Sequence, residues 1–275
     1  MAFMRIHYFS KTILMMSTMN VLIPQDIQQG EEIPVLWLLH GGGGNENDWV
    51  KNTSIVRYAE RKRIAVVMPC AGYSRYCNMK YGGDYYDFLS RELPEICRHY
   101  FPALSAKREK NYIAGLSLGG SGAIYLGMRN PERYGVIGVL SASSIIPLES
   151  LRAKSAGGPQ PPGGEGKKSV NMLNFGVENT DDLKGTQYDV LMYARKNIEE
   201  GKPLPRVYHA VGTEDHAYPV GLGLKRFFEG FPGNPYQYMM HEAKGGHTWE
   251  FWDEWICHFI STLPDFERRE NNGAD

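Results

Sequence analysis

The sequence predicts an α/β fold in which a mostly parallel sheet is covered by helices on both faces. Short apolar runs alternate with segments of helical periodicity along most of the chain, which is typical of parallel strands joined by crossover helices. Two runs near the N-terminus, residues 4–9 and 18–23, are joined by a short connection and predict an antiparallel hairpin at the edge of the sheet. A glycine-flanked serine, Ser117, lies between an apolar run and a helical stretch, as at the carboxyl end of a strand.

The length and composition limit the class of protein. At 275 residues with 42% hydrophobic composition, the chain is long enough for one large domain, and we expect residues 1–275 to form it. No run of roughly 18 apolar residues occurs, so no membrane span is predicted. The apolar run 13–16 is too short for the roughly 7–15-residue core of a secretory signal. We therefore expect a cytoplasmic protein.

Charge and cysteine content exclude two further classes of site. The net charge is −1 and the basic residues are scattered, whereas a nucleic-acid surface needs a concentrated basic face. The four cysteines form no C-x-x-C pair and have no histidine at metal-ligand spacing, so we expect neither a metal site nor a disulfide framework.

After the hairpin, the apolar runs and helical stretches follow one another in a regular order. The predicted strands are residues 35–39, 64–68, 112–114, 136–140, 206–211 and 236–242, and the predicted helices are 54–63, 85–101 with a kink at Pro94, 121–129, 190–200, 219–229 and 249–263. The order is interrupted by residues 155–169, whose glycine and proline content predicts a flexible insertion within a cap-like excursion over 151–202. Residues 171–189 are polar with few periodic positions.

The turn around Ser117 has the form of a nucleophile elbow, G-x-S-x-G. The chain must reverse sharply at the serine, and Gly115 and Gly119 remove side chains that would collide. The hydroxyl would then project from the carboxyl edge of the sheet. Leu118 would offer its backbone N–H, at the start of the next helix, to the oxyanion that forms when Ser117 attacks a carbonyl. The alternative interpretation is a tight turn that merely contains a serine.

A run of glycines follows the predicted strand 35–39, beginning with His40 and extending from Gly41 to Gly44. Such a run could cradle a phosphate or form an oxyanion loop. No G-K-[ST] follows it and no G-x-G-x-x-G opens a helix, which argues against a nucleotide site. The H-G-G-G form is typical of the loop that supplies the second oxyanion donor in lipases and esterases, and Gly42 is the predicted donor.

A serine nucleophile needs a base, and the base needs an orienting acid. In this type of fold the order along the chain is serine, acid, histidine, with the later members on loops after later strands. The loop after 206–211 contains two acids, Glu214 and Asp215, and the loop after 236–242 contains His247. The other histidines lie in predicted strands or helices, in the glycine loop, or beside the proposed acid.

These segments together also resemble a known family. Leu39-His40-Gly41-Gly42, the glycine-rich serine turn, Gly212-Thr213-Glu214-Asp215 and Gly246-His247-Thr248-Trp249 resemble the "putative esterase" branch of the α/β hydrolases, which includes tributyrin esterases and esterase D. The likeness extends from the hairpin to about residue 263. It implies an α/β-hydrolase fold, a triad of Ser117, Asp215 and His247, and oxyanion donors at Gly42 and Leu118. It also implies homo-oligomers, either dimers or tetramers.

One departure from the family concerns substrate choice. The esterase D type that hydrolyses S-formylglutathione has Ser-Gly-Leu-Thr-Cys where this chain has residues 40–44, which argues against that activity. The insertion at 155–169 is also longer than the family pattern and affects the shape of the pocket.

The function that we predict is a serine carboxylesterase that hydrolyses short-chain acyl esters, including acetylated or feruloylated sugar esters, without a cofactor. The alternatives are an acyltransferase that uses the same acyl-enzyme, an S-formylglutathione hydrolase-like thioesterase, and an inactive binding protein on the same fold. Aromatic residues near the site could line an acyl or sugar pocket, because they combine an apolar face with a polar tip. Trp49, Tyr81 and Trp249 are the candidates.

Overall fold

A computed structural model describes residues 1–147 and 170–265, and within those residues eight strands form one sheet. The strands are β1 (Ala2–Ser10), β2 (Met15–Ile23), β3 (Val35–Leu39), β4 (Ala65–Pro69), β5 (Asn111–Leu116), β6 (Val136–Leu140), β7 (Arg206–Gly212) and β8 (Met239–Ala243). Their order across the sheet is β1-β2-β4-β3-β5-β6-β7-β8. β1 and β2 form an antiparallel hairpin, β2 pairs antiparallel with β4, and all later pairs are parallel. The predicted fold class and hairpin are confirmed.

Helices lie between successive strands from β3 onward, and α9 follows the last strand. They are α1 (Asp48–Asn52), α2 (Ile55–Lys62), α3 (Tyr85–Asp87), α4 (Leu93–Tyr100), α5 (Leu118–Arg129), α6 (Val170–Phe175), α7 (Val190–Glu199), α8 (Tyr218–Glu229) and α9 (Trp249–Ser261). Short 3₁₀ turns lie at Arg108–Lys110 and Thr180–Leu183. Within the described residues, no helix has both the length and the apolar character that crossing a membrane requires.

The central strands are buried on both faces, because their side chains alternate between two cores. Leu36 and Leu38 point into a core with residues of α2 and α9. Val35 and Trp37 point into the opposite core with residues of α4, α5, α7 and α8. Strands buried in this way read as continuous apolar runs, which is why residues 35–39 and 136–140 are predicted with their observed bounds.

Pro94 coincides with an irregular helical turn rather than with a simple kink. A π-helical turn, Phe88–Glu92, lies between α3 and α4, and Pro94 is the second residue of α4. In an α-helix the N–H of residue 94 would bond to the carbonyl of Ser90, and proline has no N–H. The Ser90 carbonyl instead accepts a hydrogen bond from the guanidinium of Arg133.

Two further segments differ from what the sequence predicts. The strand predicted from residue 236 begins at Met239, because Tyr236 lies in a turn in which the N–H of Gln237 bonds to the Asn234 carbonyl. The polar segment 171–189 contains α6, which has no helical periodicity of its own and is held by hydrogen bonds to residues 73–81. The predicted insertion at 155–169 lies outside the described residues.

Candidate active site

The turn at Ser117 is tight enough to require glycine on both sides. A Cβ on Gly115 would lie 2.4 Å from the Gly119 carbonyl carbon, and one on Gly119 would lie 2.5 Å from the His40 carbonyl oxygen. Ser117 has φ 51° and ψ −115°, a region that costs a non-glycine residue on the order of 1–3 kcal/mol. Its N–H donates to the Leu140 carbonyl at 2.8 Å, so β6 helps to hold the strained residue in place.

A continuous chain of hydrogen bonds starts at the hydroxyl of Ser117. The His247 Nε2 lies 2.9 Å from the Ser117 Oγ, and its Nδ1 lies 2.9 and 3.0 Å from the two carboxylate oxygens of Asp215. Because an ionised carboxylate only accepts hydrogen bonds, Nδ1 must carry the ring proton. Nε2 is then the atom that accepts a hydrogen bond from the serine hydroxyl.

The Asp215 carboxylate is enclosed, with 0% of its side chain exposed. Besides His247, it accepts a hydrogen bond of 2.7 Å from the Ala217 N–H. Burial by itself raises the pKa of Asp215, but the hydrogen bonds from His247 and Ala217 outweigh burial and hold the pKa below its ordinary value. The carboxylate is therefore ionised at neutral pH, which suits it to orient a histidine.

The structure distinguishes between the two acids that the sequence offers as alternatives, Glu214 and Asp215. Glu214 has a side chain that is 60% exposed, and its carboxylate lies 4.0 Å from the Lys244 Nζ. Its backbone N–H donates to the Gly245 carbonyl at 3.0 Å and so ties the loop after β7 to the loop after β8. The structure thus brings Asp215, and not Glu214, to His247.

His216 is a neighbour of this chain of hydrogen bonds. Its ring centroid lies 4.2 Å from that of His247, and its Nδ1 lies 3.6 Å from the Asp215 Oδ1. Asp215, His216 and His247 each offer a ligand atom within 4.8 Å of the others, so this group could hold a metal ion. A metal there would compete with the hydrogen bonds that already join His247 and Asp215.

The glycine loop after β3 lies directly against the turn at Ser117. It is a turn closed by a 3.2 Å hydrogen bond from the Gly44 N–H to the Gly41 carbonyl, and Gly43 has φ 75°, which favours glycine. A Cβ on Gly42 would lie 3.8 Å from the Leu118 Cδ2. Within the part of the chain that the structure describes, neither the Gly42 N–H nor the Leu118 N–H has a hydrogen-bond partner.

His40 has a structural role that sequence reasoning missed. Its ring is 1% exposed, with Nδ1 2.7 Å from the Gly41 carbonyl and Nε2 accepting the Ala71 N–H at 3.0 Å. The carbonyl can only accept and the N–H can only donate, so the ring is neutral. Burial lowers the pKa of His40, which favours the same form. The ring therefore joins the glycine loop to the loop after β4.

The three predicted pocket aromatics lie in different environments. Trp49 is 1% exposed and donates from its indole N–H to the Leu39 carbonyl at 3.0 Å, a position that favours a structural role beneath the glycine loop. Trp249 packs edge-on against Trp49. Tyr81 is 59% exposed. A further aromatic, Trp252, packs edge-on against His247 with a centroid distance of 4.8 Å and so supports the imidazole.

A small pocket that is partly open to solvent begins beside the Ser117 turn. It starts at Leu118 and Ser121 and extends between the loop after β6, the loop after β4, and the segment from α6 to α7. Its lining residues are Arg75, Cys77, Leu118, Ser121, Tyr125, Ser144, Ile145, Ile146, Phe175, Tyr188 and Val190. The loop after β4 and the described part of the predicted excursion 151–202 thus form part of its wall.

The chain is similar in sequence and fold to several known proteins. The chain is 28% identical over 266 residues to an acetyl esterase of Caldicellulosiruptor saccharolyticus, covering 94% of this chain and 96% of the relative. It superimposes on fluorophosphonate-binding serine hydrolase F of Staphylococcus aureus, solved with substrate bound, with a TM-score of 0.81 and 27% identity over 95% of this chain and 98% of that one. For S-formylglutathione hydrolase of the same organism, the TM-score is 0.79 and the identity 28% over the same shares.

The fold of these solved structures is the α/β-hydrolase fold, as the resemblance at the serine turn implied. A family model described as "Putative esterase" matches residues 10–266, nearly the whole chain. The chain therefore belongs to the "putative esterase" family and is a carboxylic ester hydrolase.

Proposed function

We propose that the protein is a serine carboxylesterase that hydrolyses short-chain acyl esters through an acyl-enzyme. The observation that carries this proposal is the unbroken chain from the Ser117 Oγ through His247 to Asp215, with both links near 2.9 Å. Those distances are what a nucleophile, its general base and the orienting acid require.

In the first half of the proposed reaction, Ser117 attacks the carbonyl carbon of the ester while the His247 Nε2 takes the hydroxyl proton. The imidazolium that forms is stabilised by the ionised Asp215, which does not itself accept the proton. His247 then gives that proton to the departing alcohol, and the acyl group remains on Ser117.

The negative charge on the carbonyl oxygen needs hydrogen-bond donors that are already in place. We propose that the N–H groups of Gly42 and Leu118 serve as these donors. The support is that Leu118 begins α5 directly after the serine, that Gly42 lies on the adjoining glycine loop, and that neither N–H has a partner among the described residues. Removing one such donor typically costs on the order of 10²–10³ in kcat.

In the second half, water takes the place of the alcohol. His247 removes a proton from the water as it attacks the acyl carbon, and the tetrahedral intermediate collapses to release the carboxylic acid. The proton returns to Ser117, so the enzyme is regenerated without a cofactor.

We propose that the acyl group is short. The pocket beside the Ser117 turn is narrow, with Phe175, Tyr188 and Val190 among its lining residues. The similarity to an acetyl esterase supports the same substrate size. Each methylene that fits adds at most about 0.8 kcal/mol of binding before the pocket is full.

A thioesterase is the second candidate, and the 28% identity to an S-formylglutathione hydrolase supports it. The same serine could attack a thioester as readily as an oxygen ester. The glycine loop at residues 40–44 is the feature that argues against it.

We also propose a single domain over residues 1–275, with 151–202 as a cap-like excursion. In support, Asn197 of α7 donates to the Met128 carbonyl at 2.8 Å, so the described end of the excursion packs on the main body. A cytoplasmic location and a dimeric or tetrameric assembly stay predictions.

The test is a series of 4-nitrophenyl esters from acetate to dodecanoate, assayed beside S-formylglutathione. We expect kcat/KM to be highest between acetyl and butyryl and at least about tenfold lower at octanoyl. An optimum at long chains, or turnover of S-formylglutathione alone, would contradict the proposed substrate class. Addition of an alcohol acceptor, with analysis of the products, separates hydrolysis from acyl transfer.

A further inference from the structure

Arg75 places a cation in the wall of the pocket beside Ser117. It is the one charged side chain among the described residues that line this pocket; the others are aliphatic, aromatic, serine or cysteine. Within residues 1–147 and 170–265, no carboxylate, hydroxyl or carbonyl accepts a hydrogen bond from its guanidinium. Its Cζ lies 5.6 Å from the centroid of the Phe175 ring, which offers only an aromatic face.

The charge of Arg75 is not neutralised by the neighbouring thiol. Burial raises the pKa of Cys77 to about 12, so the thiol keeps its proton, and it donates a hydrogen bond to the Ser74 carbonyl at 3.0 Å. Burial lowers the pKa of Arg75, yet an arginine remains charged at neutral pH. The half-buried guanidinium therefore stays cationic and can pair with an anion that enters the pocket.

The backbone holds this side chain in place under strain. Arg75 has φ 51° and Tyr76 has φ 61°, two successive residues in the left-handed region that disfavours side chains. Tyr76 is 0% exposed, and its hydroxyl donates to the His40 carbonyl at 2.5 Å, which fixes the loop to the carboxyl edge of the sheet. Strain of this kind is concentrated at binding and catalytic sites.

We propose that this pocket recognises esters whose short acyl group ends in a carboxylate, and that Arg75 pairs with that carboxylate. The inference rests on the proposed role of Ser117. A short acyl chain on Ser117 that entered the pocket beside Leu118 and Ser121 would extend toward Arg75. A guanidinium presents two parallel N–H donors that match the two oxygens of a carboxylate. The substrate class is therefore a hemi-ester of a short dicarboxylic acid.

The acyl group of the ester fits this pocket better than its alcohol group does. The alcohol must leave in the middle of the reaction and be replaced by water, so its binding site has to open to solvent. The acyl group stays on the serine until the second step, and the narrow pocket between Phe175, Tyr188 and Val190 suits a group that stays.

The test compares two esters of nearly equal shape, ethyl hydrogen succinate and ethyl 4-methylpentanoate, in which a carboxylate replaces an isopropyl group. Acid release is followed in a pH-stat. We expect the wild-type kcat/KM to be higher for the succinate ester than for the neutral ester. Arg75→Met should lower kcat/KM for the succinate ester about 10- to 100-fold and that for the neutral ester much less. Arg75→Lys should restore part of the preference, since it keeps the charge. The exposed Arg57, replaced by Met, is the matched control and should change neither ester.

Stability gives a second readout that a merely structural arginine would not share. Because the charge has no counter-ion among the described residues, Arg75→Met should leave Tm unchanged or raise it. A marked fall in Tm together with equal losses on both esters would overturn the proposal. So would a succinate preference that survives Arg75→Met. Acetoxyacetate carries its carboxylate on the alcohol group, and isobutyl acetate is its neutral counterpart. A preference for a carboxylate that is seen only with this pair would overturn the assignment of the pocket to the acyl group.

Binding to the Ser117→Ala protein separates this proposal from the proposed function. Calorimetric titration with ethyl hydrogen succinate should show binding that is lost when Arg75→Met is added. Such binding with no turnover by the wild-type enzyme would support the Arg75 site and refute the esterase role of Ser117. Turnover of both esters at equal rates, with no binding that depends on Arg75, would refute the Arg75 site and leave the esterase role of Ser117 intact.

Discussion

Two regions face each other across the pocket: the turn at residues 115–119, which carries Ser117, and the wall formed by residues 73–81 with α6. In the turn, backbone atoms approach so closely that Gly119 has no room for a Cβ. In the wall, the 73–81 loop is held by a few hydrogen bonds, in which the Asn174 and Leu173 carbonyls accept the Lys80 and Tyr81 N–H groups at 2.7 and 3.0 Å.

The difference separates chemistry from selectivity. A turn fixed by backbone contact tolerates almost no change, and its geometry places the serine, His247 and the two proposed oxyanion donors together. A wall fixed by side-chain and loop contacts can change its residues while the sheet remains intact. We therefore expect changes in the turn to abolish turnover or folding, and changes in the wall to alter which ester is preferred.

The largest effect should come from Ser117→Ala. Removing the nucleophile should lower kcat by about 10⁴–10⁶ while the protein remains folded, because the hydroxyl is one partly exposed group. The measurement is 4-nitrophenyl acetate turnover with circular dichroism as the check of folding. Ser261→Ala, which removes an exposed hydroxyl on α9, is the matched control and should keep full activity. Retention of a tenth of wild-type activity by Ser117→Ala would refute its assignment.

Asp215→Asn should have the next largest effect, roughly 10⁴ in kcat, because an amide no longer fixes the tautomer of His247. Its neighbour Glu214 offers the control, since Glu214→Gln changes a carboxylate of the same loop that is 60% exposed. We expect Glu214→Gln to stay within about twofold of wild type. If it proves the more damaging of the two, Asp215 is not the orienting acid.

Gly119→Ala should break the turn itself. A Cβ there would lie 2.5 Å from the carbonyl oxygens of both Leu39 and His40, which cannot move without distorting β3. We expect a loss of at least about 3 kcal/mol in the free energy of unfolding, or failure to fold. Gly185→Ala is the control: its φ is 76° and nothing lies within 4 Å, so the cost should be about 1 kcal/mol. The free energy of unfolding is measured by urea titration. If Gly119→Ala and Gly185→Ala lose equal amounts, the turn at Ser117 is not specially constrained.

The smallest effect should come from Asn174→Ala in the wall. Its side-chain amide donates to the Tyr73 carbonyl at 3.0 Å, and removing it frees one end of the 73–81 loop. We expect KM for butyrate esters to rise a few fold with kcat within about twofold. Asn171→Ala, on the same helix but bonded to the Glu178 carbonyl, should leave KM unchanged. A loss of kcat as large as that of Asp215→Asn would remove the distinction between turn and wall.

The two regions also differ in how far the sequence predicts them. The turn, the glycine loop and the order serine, acid, histidine follow local rules, so Ser117, Gly42 and His247 can be singled out from the amino-acid sequence alone. Their juxtaposition follows from the topology, since the carboxyl ends of parallel strands meet at one edge of the sheet. For the acid, the family resemblance favours Asp215, but the residues of the loop alone do not separate it from Glu214. The structure separates them by burial, since the Asp215 side chain is 0% exposed and that of Glu214 is 60% exposed.

The wall is not predicted, because its structure depends on contacts between distant segments. α6 is a six-residue helix whose bonds go to residues 73–81, and no periodicity marks it. His40 reads as a member of the glycine loop, and only its hydrogen bond to the Ala71 N–H shows that it joins two loops. Arg75 is one scattered basic residue until the fold places it, without a counter-ion among the described residues, in the pocket.

The most direct test of the central claim, that Ser117 forms the acyl-enzyme, is to trap the modified residue. The protein is treated with a fluorophosphonate probe, and separately quenched in acid during turnover of 4-nitrophenyl butyrate, and each adduct is located by peptide mass spectrometry. We predict one adduct in each case, on Ser117, with none on the Ser117→Ala protein. An adduct on another residue, or steady turnover by Ser117→Ala with no adduct at all, would contradict the claim.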